Sequence, residues 1–193
     1  MVEHKERPIL FSGPMVRAIL AGKKTQTRRL AKTAGRMPDP PVDPYKGWAR
    51  AKPGDRLWVR ETFTPAYFGD GRPAYRADWT WNATDLVKEP KWRPSIFMHR
   101  HESRLTLEIT GVRMVRLQDI TTSDIIAEGV TVGVAVSMLG KRAPKGIAWP
   151  VEPWTLRDAW RVGWSAINGV ESWTANPWVI ALAFRRQIET PRG

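Results

Sequence analysis

The stretch RLTLEITGVRMVRL, Arg104 to Leu117, decides how this chain folds. Leu105, Leu107 and Ile109 alternate with Thr106, Glu108 and Thr110, the two-residue period of a strand with one buried face. After Gly111 the apolar phase slips, which predicts a bulge or sharp bend at that glycine. A long strand of this kind belongs to a curved sheet or a small barrel.

Downstream, Thr121 with Asp124 three residues later resembles a capping box, opening a short helix TSDIIAEG that Gly129 closes. A loop-rich segment covers residues 131–153. Leu156, Trp160, Trp164 and Ile167 then mark an amphipathic helix, and PWVIALAF (Pro177–Phe184) reads as a final buried strand.

Upstream, GDRLWVRETF predicts a strand with Leu57 and Val59 inward. AYRADW (Ala74–Trp79) and SIFMHR (Ser95–Arg100) are weaker strand candidates. Residues 34–53 are rich in proline and glycine and read as a loop. PILF (Pro8–Phe11) predicts a strand, followed by a helix with Ser12 and Gly13 at its cap and Pro14 in its first turn. Met15, Val16, Ile19 and Leu20 form its apolar face, and Gly22 ends it before a strand-like TQTRRL. Several strands, three helices and long loops describe one α+β domain over residues 1–193.

The 193 residues carry 31 Lys+Arg against 19 Asp+Glu, a net charge of +12 that attracts polyanions such as nucleic acid. The absence of cysteine excludes disulfides, thiolate metal sites and cysteine nucleophiles. No apolar run has the length of a membrane span and the N-terminus lacks a signal-peptide pattern, so the expected location is the cytoplasm. No P-loop, dinucleotide fingerprint or serine elbow is present. His99 and His101 flank Arg100 without a third ligand pattern, so neither a metal nor another cofactor is expected. Nothing in the sequence sets an oligomeric state.

The basic stretch AGKKTQTRR carries the candidate chemistry. Lys24 lies near Lys23, Arg28 and Arg29, and like charges lower a lysine's pKa. Such an amine can act as a base for a hydroxyl, and Thr25 and Thr27 supply hydroxyls. In a strand, Thr25, Thr27 and Arg29 share one face and Gln26 and Arg28 the other, while Lys24 can turn to either side. A solvated basic turn is the plain alternative. Glu128 is the second oddity, a carboxylate in the last turn of a helix where the dipole opposes it. Of the tryptophans, Trp58, Trp160, Trp164 and Trp178 fall on core-type faces. Trp48, Trp79, Trp81, Trp92 and Trp149 lie in loops, where they could meet a ring.

Together ILAGKKTQTRR, PGDRLWVRE, the strand leading to LQDITTSDIIAEGV, and NPWVIALAF resemble an ASCH (activating signal cointegrator homology) domain. That family is a branch of the PUA-like superfamily. The likeness is closest to the larger ASCH proteins of phages and prophages, whose loops carry stretches similar to YRADW and WRPSIFMHRHESR. The matched blocks cover about half the chain in the family's order. The resemblance implies a PUA-like small β-barrel with flanking helices and long loop insertions near 34–53, 64–103 and 131–153.

Some small bacterial ASCH proteins are amidohydrolases that remove the acyl group of N4-acetylcytidine. The resemblance assigns Lys24 as base, Thr27 as nucleophile and Glu128 as the residue orienting the lysine or relaying protons. Lys23, Thr25, Arg28, Arg29 and Trp79 are the expected substrate or nucleic-acid contacts. Other PUA-like proteins bind RNA, and nuclease activity accompanies some. The expected partner is therefore a modified nucleoside or a single-stranded nucleic acid, with no membrane. A phage accessory protein whose basic surface serves assembly or host interaction is the third possibility.

Overall fold

A computed structural model describes residues 4–31, 47–79, 90–131 and 155–187. Most of the expected loops at 34–53 and 131–153, together with Trp81 and Trp149, lie outside the described residues. Seven strands and four α-helices are described. They are β1 (Glu6–Leu10), α1 (Gly13–Leu20), β2 (Gln26–Leu30), β3 (Arg56–Arg60), β4 (Phe63–Thr64), β5 (Ala74–Tyr75), β6 (Thr106–Arg116), α2 (Thr122–Ala127), α3 (Leu156–Asn168), α4 (Glu171–Thr174) and β7 (Trp178–Gln187). The fold is α+β.

Five strands form one sheet in the order β1-β3-β6-β7-β2, with β1 and β3 parallel and the other neighbours antiparallel. As the slipped phase predicts, the register of β6 against β7 shifts between Ile109 and Gly111. The bend lets the first residues of β6 pair with β3 while its whole length pairs with β7. The edge strands β1 and β2 are not paired, so among the described residues the backbone closes no barrel. They nevertheless come within side-chain reach, because Arg29 of β2 donates from Nη2 to the Leu10 carbonyl at the end of β1, at 2.9 Å. The sheet is therefore curled toward closure.

Helix α1 connects these two edges and fills the curl. Its Val16 and Ile19 are buried against Ile9, Leu57, Leu107, Ile109, Ile180, Leu182 and Phe184. Each such aliphatic side chain contributes about 1.5–3 kcal/mol by leaving water. A second apolar cluster joins Leu117, Ile120, Ile125, Trp160, Trp164 and Val179. β7 is covered on both faces, with Ile180 and Leu182 in the first cluster and Val179 in the second. That explains its uninterrupted apolar run.

Three expectations need correction. AYRADW supplies only the two residues of β5. SIFMHR is not a strand but two 3-10 turns, Ser95–Phe97 and Arg100–Glu102. The His99 N–H donates to the Glu102 carboxylate at 2.7 Å, a local bond that replaces a ladder bond. Helix α3 forms as expected, yet Ile167 faces outward, 65% exposed, and the four-residue α4 follows it. No helix among the described residues is long and apolar enough to cross a membrane.

Candidate functional site

The chain leaves α1 through Gly22 in a left-handed conformation, and the N–H groups of Lys23 and Lys24 both donate to the Ala18 carbonyl, at 2.8 and 3.0 Å. This tight turn aims Lys24 at the end of α2, where it forms an isolated antiparallel bridge with Glu128. Thr121 and Asp124 cap the start of α2 reciprocally, and Gly129 follows Glu128 with φ of 74°. A Cβ at Gly129 would come within 2.9 Å of the Lys24 Cβ and 3.1 Å of the Ala18 Cβ. Glycine is needed there both for its conformation and for the approach of Lys24.

Lys24 Nζ donates to Glu128 Oε2 at 2.8 Å and to the Glu128 carbonyl at 2.8 Å. Arg28 reaches the other carboxylate oxygen, Oε1, at 3.3 Å, and Asp124 Oδ2 at 2.8 Å. Arg113 and Gln26 both donate to Asp124 Oδ1, at 2.8 and 3.2 Å. Lys24, Arg28 and Glu128 are all buried. The carboxylate opposed by its helix dipole is thus held by two cations, and the basic stretch is not a solvated turn.

Strand alternation holds in β2. Gln26 and Arg28 point together toward Asp124, while Arg29 donates to Thr27 Oγ1 at 3.0 Å on the other face. Lys24 turns to the side of Glu128. Among the described residues no hydrogen bond joins Lys24 to Thr27. The two faces meet at Phe11, whose ring centre lies 5.6 Å from Lys24 Nζ and 5.2 Å from the Arg29 guanidinium carbon.

Burial lowers the Lys24 pKa; Glu128 opposes that shift, and the charges of Arg29 and Arg28 add to it. Desolvation, and not the neighbouring like charges, leads this shift. Burial also lowers the pKa of Arg29, which Glu128 partly offsets. At Asp124 burial pushes the pKa up, yet the hydrogen bond from Arg113, the charge of Arg28 and the bond from Gln26 outweigh it and bring the group to about 2.

Lys24, Thr27, Arg28, Arg29 and Glu128 all line one cleft of about 1120 Å³. Phe11, Ser12 and Met15 continue its wall from β1 into α1, Arg60 lies at the end of β3, and α3 contributes Trp160, Gly163 and Trp164. The remaining expected contacts are elsewhere. Lys23 and Thr25 are exposed and outside the cleft lining, and the main chain of Thr25 stitches α2 to β7 through Ala127 and Phe184. Trp79 packs edge-on between Tyr67 and Trp92, with ring centres 5.6 and 5.7 Å away, and does not line the cleft. Among the described loop tryptophans, Trp48 is the one that does.

Trp160 and Trp164 belong to the core, as their helical spacing suggests, and also line the cleft. Arg60 was legible only as the outward residue of a strand. His99 and His101 stack their rings at 5.8 Å, and among the described residues no group of three or more His, Cys, Asp and Glu is placed to hold a metal ion. No model of a protein family, no curated protein and no solved structure matches this chain.

Proposed function

We propose that the cleft is the active site of an amidohydrolase acting on an N4-acylated cytidine or a similar modified nucleoside. The observation that carries this reading is the buried Lys24–Glu128 pair, which lines the same cleft as Thr27. It agrees with the resemblance to ASCH amidohydrolases and with the PUA-like barrel that a curled sheet approaches. In this mechanism burial eases loss of a proton from the Lys24 ammonium to solvent, and the resulting amine takes the proton of Thr27 as Oγ1 attacks the acyl carbon. Glu128 holds the ammonium that forms. Arg29, already donating to Oγ1, stabilises the developing alkoxide. The C–N bond breaks as the nucleoside amine leaves with the proton from Lys24, and water then hydrolyses the acyl-threonine, returning Oγ1 its proton.

The test is acetate release from N4-acetylcytidine by the native chain, by Lys24→Ala and by Thr27→Val, with melting curves alongside. Turnover in the native chain, lost in both variants while Thr27→Val still melts cooperatively, is the expected result. No turnover in the native chain overturns the reading. The net charge of +12 favours a second reading, in which the same cleft binds single-stranded RNA or DNA without hydrolysis. It predicts salt-sensitive binding and no acetate.

A further inference from the structure

The charges lining the cleft do not balance. Among the described residues they are Arg7, Lys24, Arg28, Arg29 and Arg60 against a single carboxylate, Glu128. Lys24 and Arg28 share that carboxylate, and Arg28 also has Asp124. Arg29 and Arg60 have no ion-pair partner among the described residues. Their hydrogen bonds run to neutral oxygens: Arg29 to Thr27 Oγ1 and the carbonyls of Arg28 and Leu10, Arg60 to the carbonyls of Met98 and Ile96. Both guanidiniums are therefore fixed in space with no carboxylate in contact among the described residues, and Glu128 acts on Arg29 only from beyond ion-pair distance. Both line the cleft together with Leu10, whose carbonyl Arg29 binds and whose register partner on β3 is Arg60. Arg28 adds a buried Nε with no hydrogen-bond partner in the same lining.

We propose that Arg29 and Arg60 form a phosphate subsite at the Leu10 edge of the cleft, so that the ligand is a phosphorylated nucleotide rather than an uncharged nucleoside. Unpaired positive charge beside an apolar wall is costly in the free protein and is relieved by an anion. Guanidiniums held by carbonyls lose little further freedom when they bind one, and their forked donors suit phosphate oxygens. At about 1120 Å³ the cleft exceeds the ~300–1,000 Å³ of usual small-molecule sites and leaves room beyond one nucleoside. The phosphate belongs to a free nucleotide or to a nucleic-acid strand. The inference rests on the cleft being a nucleoside site.

Calorimetric titration of the full chain with cytidine, cytidine 5′-monophosphate and a five-residue oligocytidylate tests it. The monophosphate should bind at least about tenfold more tightly than cytidine at low salt, about 1.4 kcal/mol. Inorganic phosphate should compete with the monophosphate and leave cytidine binding unchanged. Arg60→Gln, with its melting temperature measured, should erase the preference; the competition experiment carries the test if that variant unfolds. Tighter oligocytidylate binding with a salt slope of several phosphates assigns the phosphate to a strand, and an unchanged slope assigns it to a free nucleotide.

Equal affinities for cytidine and its monophosphate, or no binding of any of the three, overturn the proposal. Its failure is distinct from that of the hydrolase. A tenfold phosphate preference without acetate release removes the hydrolase and keeps the subsite. Acetate release from N4-acetylcytidine with no gain in kcat/KM for its 5′-monophosphate, and no binding preference, does the reverse.

Discussion

Arg104 and Lys24 each meet a buried glutamate, Glu61 in one case and Glu128 in the other, and the two clusters differ in charge balance. Arg104 donates to both Glu61 oxygens, at 2.9 and 3.1 Å, and to Asp78, with its guanidinium 4.0 Å from the Tyr75 ring centre. One cation faces two carboxylates, and none of the three residues lines the cleft. Burial pushes the Glu61 carboxyl up, the Arg104 hydrogen bonds draw it down, and the upward push prevails. In the cleft the sign is reversed, with cations in excess. A buried ion pair alone therefore says little about function, and the side of the balance that is left open says more.

The comparison breaks most sharply at Thr27. If it is the nucleophile, Thr27→Val should lower kcat/KM for N4-acetylcytidine by at least about 10⁴-fold, about 5 kcal/mol of barrier, measured as acetate release. At the other cluster, Arg104→Ala leaves Glu61 buried without its cation. Urea denaturation should show a loss of about 3 kcal/mol, with the phosphate preference of the cleft unchanged.

Asp124 gives a smaller effect with a defined sign. Its folded pKa of about 2 lies below the ordinary 3.8, so it stabilises the fold above pH ~4. About 2 kcal/mol should be lost as the pH falls through 2, and Asp124→Asn should flatten that part of an acid denaturation profile. The smallest expected change is Gly163→Ala. Among the described residues nothing lies within 4 Å of a Cβ there, and the position is inside α3 on the cleft lining. Thermal melts should show a gain of up to about 1 kcal/mol from helix propensity.

What the sequence disclosed follows the range of the interactions involved. The bulge at Gly111, the Thr121–Asp124 box and the Gly22 and Gly129 stops depend on neighbours within a few residues, and each stands where the pattern places it. SIFMHR misled because a local bond from His99 to Glu102 outcompetes the ladder its apolar residues suggest. The two-faced division of β2 was legible, whereas the direction taken by Lys24 depends on α2, some hundred residues away. Trp79 illustrates the same limit, since its fate is set by Tyr67 and Trp92 and not by lying in a loop. Arg60 gave no local signal, because what distinguishes it is the carboxylate that no described residue brings near.

The pairing of β2 with β7 joins residues 26–30 to residues 179–183. During synthesis, β2 leaves the ribosome about 150 residues before the strand that covers it, and at ordinary elongation rates that is a wait on the order of ten seconds. Through that interval Lys24, Thr27, Arg28 and Arg29 have no cleft, and β2 has no partner along that edge. Contacts this distant in sequence also slow the final collapse. The site is thus completed only once β7 has been made, and any arrest upstream of Trp178 leaves the basic stretch without that strand.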